Sequence, residues 1–326
     1  MGLGAAAPIS IWAVSDGRAG IEAQVVGLAE ALARRTPASV IVKRIAWRGL
    51  AGALPARMVP TGLLAPSSAI APPWPDLWIA AGRASLPLSI RVKRWSNGHT
   101  FVVQLQDPRL APSLFDLVIP PRHDRLEGAN VFPILGSPHR VTRERLERDY
   151  ARFAAQLDAL PRPRVAVLIG GRSKAHDLGA VRATAMAREI AAAVSQAGGS
   201  VMATFSRRTP KEAQAILAAR LAELPGMVWN GEGENPYFAF LAGSDYILVT
   251  EDSTNMAAEA AATGKPVLVM GMDGASRKLA AFHDELRSIG AARPFEGVLQ
   301  DWTYQALDET GRAADEILAR MRAAGR

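Results

Sequence analysis

An α/β protein built from two parallel-sheet domains is what the sequence predicts, on three observations. Short apolar runs suited to buried strands alternate with segments of helical period along most of the chain. Polar or glycine-rich turns follow several of those runs, as they do at the carboxyl ends of strands where open α/β sheets bind ligands. Pro161-Arg-Pro163 then separates one such series from a second. A chain of 326 residues suits two domains of ordinary size.

In the first series, Ile9 to Val14 reads as a strand, followed by Ser15-Asp-Gly-Arg-Ala-Gly20. Ile21 to Arg35 reads as a helix, with Ile21, Val25, Leu28 and Leu32 at helical spacing. Val40 to Ile45 is a second strand, and Gly49 to Pro75, rich in Pro, Ala and Gly, forms loops and short helices. Leu77 to Ala80, Thr100 to Leu105 and Leu117 to Ile119 are further strands, with a basic helix from Leu86 to Trp95 between the first two. Arg143 to Leu160 is a charged helix that closes this half.

The second series opens with a strand from Val165 to Ile169, a Gly170-Gly171 turn and a helix over about Ala180 to Ala197. Ser200 to Phe205 is a strand, Pro210 to Leu221 a helix and Met227 to Trp229 a short strand. A last helix spans Thr303 to Ala324, with Leu307, Ala314, Ile317, Leu318 and Met321 on one face. The division is therefore residues 1–160, 161–302 and a terminal helix over 303–326.

Hydrophobic residues make up 49% and charged residues 21%, enough for two cores. No apolar run reaches the roughly 18 residues of a membrane span. Met1 to Pro8 lacks the positive start of a secretory leader, and Ala6 stands where myristoylation needs Ser or Thr. With no cysteine, disulfides and thiolate metal sites are excluded and a cytoplasmic location is the default. Net charge is +7, and since only six of the 38 basic residues are Lys, Arg supplies 32. That balance fits an anionic partner such as a nucleotide or a membrane surface. Nucleic acid is not expected: no binding module is recognisable, and the aromatics do not interleave with the basic residues.

The richest stretch runs from Asp245 to Met270. Tyr246 to Val249 is an apolar run suited to a buried parallel strand. Asp252 or Ser253 caps the helix that follows, so its first N–H groups face an anion. Gly264 and Pro266 end that helix, and Glu259 lies inside it near its start. The segment resembles the donor motif of GT-B glycosyltransferases. In that class a Ser/Thr-rich turn touches the donor phosphates, a helical Glu binds the ribose hydroxyls and a Gly-x-Pro follows. The resemblance puts Ser253, Thr254 and Asn255 at phosphate and Glu259 at ribose, with Gly264-Lys265-Pro266 as the Gly-x-Pro.

Val167-Leu-Ile-Gly-Gly-Arg-Ser-Lys174 is a strand entering a glycine-rich turn. It is either a tight βα turn or a phosphate cradle, in which Gly170 and Gly171 allow close approach and Ser173 and Lys174 add a hydroxyl and a charge. GT-B enzymes have a comparable Gly-Gly-Ser turn. Thr204-Phe-Ser-Arg-Arg-Thr-Pro210 puts Arg207 and Arg208 between a strand and a helix, where they form a diphosphate clamp or a solvated loop. The two α/β halves match the two Rossmann-like domains of the GT-B fold, which face each other across a cleft. In that fold the last helix commonly crosses back to the N-terminal domain, and the same is expected here.

One family is resembled more closely. Ser15-Asp-Gly-Arg-Ala-Gly20 with Gln24, Gln106-Asp-Pro-Arg109, Phe115-Asp-Leu-Val118, Pro121-Arg-His-Asp124, Ser206-Arg-Arg-Thr-Pro210 and Thr250-Glu-Asp-Ser-Thr-Asn255 look like the Elm-type mitochondrial-fission family. Its bacterial members are often described as nucleoside-diphosphate-sugar enzymes or glycosyltransferases. The family usually has His after the Gly equivalent to Gly20, whereas Ile21 stands there. Ile21 cannot transfer a proton, so either the base lies elsewhere or the protein does not transfer sugar. Two base candidates remain at strand ends of the first half: His123, with Asp124 beside it, and Asp16, which is otherwise a cap for the helix after it. Asp107, before Pro108, reads as turn chemistry.

The leading expectation is a GT-B-like glycosyltransferase that holds a nucleotide-diphosphate sugar in its interdomain cleft. The donor would sit on the C-terminal domain and the acceptor near Asp16, Gly17 and His123. The other His residues form no ligand spacing, so no metal is expected, and no cofactor beyond the donor. A lipid-linked acceptor would place the protein at the periphery of the inner membrane. The alternatives are a non-catalytic scaffold for a partner or membrane surface, which Ile21 favours, and a two-domain nucleotide-sugar epimerase.

Overall fold

The computed structural model describes residues 8–49, 52 and 54–326. The leader and myristoylation readings fall on residues outside that range, apart from Pro8. The chain splits into two compact units, Met1–Arg140 with Asp308–Arg326, and Val141–Leu307.

The first unit holds strands β1 (Ile9–Ser15), β2 (Ala38–Arg44), β3 (Leu77–Ala81), β4 (Phe101–Leu105) and β5 (Leu117–Ile119). They form one parallel sheet in the order β2-β1-β3-β4-β5. Helix α1 (Ala19–Ala33) follows β1, and helix α2 (Leu86–Trp95) lies between β3 and β4. Side chains alternate across a strand, and here the two faces bury different cores. Ile11, Ala13, Leu77 and Ile79 pack with Val25, Leu28 and Leu32 of α1. Trp12, Val14, Trp78 and Ala80 pack with Leu86, Leu88 and Val92 of α2. Within the Gly49 to Pro75 segment the described residues include short 3₁₀ turns at Thr61–Leu63 and Pro66–Ser68.

The second unit begins with α3 (Arg143–Asp158), capped by Thr142, whose hydroxyl accepts the Arg145 N–H. Strand β6 (Arg164–Ile169), the two-residue β7 (His176–Asp177), α4 (Ala180–Gln196), β8 (Ser200–Phe205), α5 (Lys211–Leu221) and β9 (Gly226–Val228) follow. Next come α6 (Tyr237–Gly243), β10 (Tyr246–Thr250), α7 (Thr254–Ala261), β11 (Val267–Met270), β12 (Asp273–Gly274), α8 (Arg277–Ser288) and β13 (Ala292–Pro294). The main sheet is parallel, in the order β13-β11-β10-β6-β8-β9, and β7 pairs with β12 alone. One face buries Val165, Val167 and Ile169 against Met186, Ile190 and Val194 of α4 and Leu217 of α5.

The sequence division at residue 160 falls at the far end of α3, whereas the compact unit starts at Val141. The reason is visible in the contacts of α3. Arg164, almost wholly buried at the start of β6, donates to the Tyr150 hydroxyl at 3.0 Å. The Tyr150 ring lies so close to Gly243 in α6 that a Cβ there would come within 2.9 Å of it.

The terminal helix α9 is Glu309–Ala323, six residues shorter at its start than the sequence reading. Asp308 caps it by accepting the Gly311 N–H. Ahead of it, the Tyr304 hydroxyl donates to the carbonyls of Ala261 and Lys265. Ala313, Ala314, Ile317 and Met321 of α9 pack in the α1 core, so this helix belongs to the first unit. Among the described residues, no helix is long and apolar enough to cross a membrane.

Candidate functional site

In the second unit the chain starts at β6, runs out through β8 and β9 on one side, and returns through β10, β11 and β13 on the other. The order reverses between β6 and β10, and such a switch point opens a crevice beyond the carboxyl ends of the strands. Gly170-Gly171 follows β6, Ser206–Thr209 follows β8 and Glu251–Ser253 follows β10.

One carboxylate ties these three turns together. The Asp252 side chain is fully buried, and its Oδ2 accepts the Gly171 N–H at 3.0 Å and an Arg208 guanidinium N–H at 2.8 Å. Its Oδ1 accepts the Thr250 hydroxyl at 2.7 Å, and that hydroxyl in turn accepts the Gly170 N–H at 2.7 Å. Asp252 therefore does not cap the following helix. Ser253 does, its hydroxyl accepting the Met256 N–H.

The network changes the meaning of the glycine turn. Both glycine N–H groups donate to side chains of the β10 end, to Thr250 and to Asp252. A Cβ at Gly170 would lie 2.0 Å from Asp252 Oδ1, and one at Gly171 would lie 2.2 Å from the Arg208 carbonyl. The glycines are required because a carboxylate and a neighbouring loop already press against them. Ser173 folds its hydroxyl onto its own turn, accepting the Ala175 and His176 N–H groups. Lys174 and Arg207 are exposed on the turns after β6 and β8.

Helix α7 carries Thr254, Asn255 and Glu259, and its first-turn amides and positive dipole end lie next to Asp252. Glu259 keeps only 9% of its surface exposed. Its Oε2 accepts the Tyr237 hydroxyl at 2.5 Å. Burial pushes the Glu259 carboxyl up to about 7, against smaller opposing pulls from the Tyr237 hydrogen bond and the Arg145 charge. Burial first, and the Glu259 charge second, push the Tyr237 phenol well above its ordinary value. Arg145 of α3 lies over the Phe238 ring, 4.0 Å from its centre. A nearly buried carboxyl raised in this way is a hydrogen-bonding group poised to change charge state near neutrality.

The remaining candidates lie in the first unit. Asp16 follows β1, and its carboxylate accepts the Arg18 N–H at 3.1 Å and Arg18 Nε at 2.8 Å. It does not cap α1, whose N-cap position is Arg18 with no side-chain bond. His123 is half-buried in a 3₁₀ turn, Arg122–Asp124, just after β5. Both stand at the same edge of a parallel sheet, but three strand spacings apart, roughly 14 Å. They are separate candidates and not an acid–base pair. Ile21 packs on the α1 core, and a Cβ at Gly82 would lie 3.4 Å from its Cγ2. At the same edge Gln106, with φ 67°, donates from Nε2 to Gln24 Oε1 at 3.0 Å. Asp107 forms a turn by accepting the Arg109 N–H.

Sequence reasoning missed two members of the second-unit cluster. Tyr237 stands 22 positions before Glu259, and no periodicity links two helices separated by a strand. Thr250 follows the apolar run Tyr246 to Val249 and opens a family motif without a role of its own, and only pairing of β10 with β6 brings its hydroxyl to Gly170. Among the described residues no group of three or more His, Cys, Asp or Glu could hold a metal ion.

The chain is 32% identical to the mitochondrial fission protein ELM1 of Arabidopsis thaliana over 278 residues, 77% of this chain and 65% of the plant protein. The alignment thus spans less than two thirds of that relative's length. The crystal structure of a UDP-GlcNAc 2-epimerase from Neisseria meningitidis is similar with a TM-score of 0.55 at 12% identity, covering 97% of this chain and all of that one. The structure of the glycotransferase of kitacinnamycin is similar with a TM-score of 0.54 at 15% identity, covering 96% of this chain and 99% of that one. At these identities the likeness shows the fold, which is the GT-B class with parallel sheets. Residues 19–321, nearly the whole chain, match the family described as Mitochondrial fission ELM1, to which this protein therefore belongs.

Proposed function

We propose that this protein binds a nucleotide-diphosphate sugar and transfers the sugar to an acceptor. The observation that carries the reading is the switch-point cluster of the second unit. It combines Arg208, held by Asp252, the exposed Arg207 beside it in sequence, the amides at the start of α7 and a nearly buried carboxylate on the same helix. The diphosphate would meet Arg207, Arg208 and Lys174, with Ser253, Thr254 and Asn255 at the helix start. Gly170, Gly171 and Ser173 shape the turn behind it, and Glu259 accepts from the ribose hydroxyls. The Neisseria epimerase of this fold is described as bound to UDP-GlcNAc, which supports the ligand class.

Cationic side chains and the helix dipole stabilise the leaving diphosphate, so the reading needs no metal and no organic cofactor. The acceptor would be served by the first unit, with His123 or Asp16 as the base. A lipid-linked acceptor would bring a cytoplasmic protein to the inner membrane surface. Ile21 favours a second reading, in which the same site binds a nucleotide sugar without turnover and the protein acts as a scaffold.

A thermal-shift screen of nucleoside diphosphates and nucleotide sugars tests the binding reading. A ligand at 100 times its Kd should stabilise by about 2.7 kcal/mol. No stabilisation by any of them would refute it. Chromatography of the bound sugar after incubation with candidate acceptors then separates transfer, epimerisation and binding alone.

A further inference from the structure

We propose that Asp252 is a positioning residue that presets Arg208 for the diphosphate, a role that rests on the nucleotide-sugar reading of this site. Its side chain is fully buried, while that of Arg208 is 46% exposed. An arginine on an exposed turn ordinarily samples many rotamers, and ordering one costs free energy on binding. Here one Nη2 hydrogen is fixed to Asp252 Oδ2 at 2.8 Å, and Nη1 lies 3.4 Å from the Arg172 carbonyl. A guanidinium has five N–H groups, so three remain for an anion, held in a fixed plane.

Asp252 itself cannot swing away. Thr250 holds its Oδ1, the Gly171 N–H holds its Oδ2, and the bare Cα of Gly170 lets it sit where a Cβ would collide. The carboxylate thus anchors three strand-end turns and passes that order to one cation. A nucleoside diphosphate gains most from a preset fork, because its neighbouring phosphates offer several oxygens to one plane. A nucleoside without phosphate gains nothing from it.

The test is a double-mutant cycle on the full chain with UDP as probe and uridine as control, read by calorimetry. Arg208→Ala should weaken UDP binding by about 10- to 100-fold, the scale of a lost charge-assisted hydrogen bond. Asp252→Asn should weaken it about 10-fold with uridine binding unchanged. The double variant should bind no worse than Arg208→Ala alone. Independent, multiplying losses or wild-type binding by Asp252→Asn would overturn the proposal. Should Asp252→Asn fail to fold, Thr250→Val removes one donor to the same carboxylate and should weaken UDP binding in the same direction.

A second readout needs no ligand. Phenylglyoxal modification, located by fragmentation of the peptide, should be slower at Arg208 than at Arg207, and Asp252→Asn or Thr250→Val should narrow the difference. Equal rates at both arginines in the wild type would refute the anchoring. If no nucleoside diphosphate binds the wild type but Arg208 is protected through Asp252, the nucleotide reading fails and the anchoring stands without its ligand.

Discussion

Replacing Glu259 by Gln should stabilise the protein at alkaline pH while weakening its hold on nucleotide. Glu259 is 9% exposed, and burial raises its carboxyl from 4.5 to about 7. A shift of this size corresponds to about 3 kcal/mol between its two protonation states. The sign follows from linkage: the folded form binds the proton more tightly than the unfolded form. Below about 4.5 the carboxyl is neutral in both states, and burial carries no charge penalty. As pH rises through 7 the fold must bury an anion, and up to about 3 kcal/mol is lost. Gln is neutral throughout and still accepts from Tyr237. Urea denaturation at pH 5 and pH 8 should show the wild type losing stability relative to Glu259→Gln as pH rises. Nucleotide affinity should move the other way. Losing a hydrogen bond to a charged acceptor costs about 1.5–3 kcal/mol, or about 10- to 150-fold in Kd. A site kept for function at the expense of stability predicts this opposition. Parallel pH profiles for the two proteins would refute the buried-charge reasoning, and unchanged affinity for every nucleotide that binds would remove Glu259 from the ribose.

Other outcomes follow from the same geometry. Gly171→Ala puts a Cβ 2.2 Å from the Arg208 carbonyl, and should cost about 1–3 kcal/mol of stability together with nucleotide binding, checked by denaturation and calorimetry. If the protein transfers sugar despite Ile21, His123→Ala should cut turnover by about 10²–10⁴ with donor affinity nearly unchanged, and wild-type turnover would leave Asp16 as the remaining base. Nucleotide titrations with and without chelator should coincide, whereas a large loss of affinity on adding chelator would bring a metal into the mechanism. Tyr237→Phe should weaken nucleotide binding less than Glu259→Gln, because it loosens the carboxylate without removing it, and equal losses would contradict that order.

Much of the scaffold was legible in one sequence because strand and helix periods are local. Leu86 to Trp95, Leu117 to Ile119 and Ser200 to Phe205 coincide with α2, β5 and β8, since each is bounded by punctuating residues. The stretch after β11 was not read. Helix α8 buries only Phe282, His283 and Leu286, and β13 is three residues long, so neither gives a strong periodic signal. Helix α6 is missed for its length of seven residues. The three strand-end turns of the second unit were legible too, because Gly170-Gly171, Arg207-Arg208 and the Ser253 cap are each compact local patterns.

What those turns do to one another is a matter of tertiary structure alone. Sequence spacing could not distinguish Asp252 from Ser253 as the cap, since either side chain can accept an N–H from the first turn. Pairing of β6 with both β10 and β8 decided it, by bringing Gly171 and Arg208 to the Asp252 carboxylate and leaving Ser253 to the helix. The same pairing turned the glycines from supposed phosphate donors into the space that Asp252 occupies. The raised carboxyl of Glu259 likewise depends on burial, which outweighs the opposing pull of the Tyr237 hydrogen bond, and desolvation belongs to the packed chain rather than to any residue's neighbours along it.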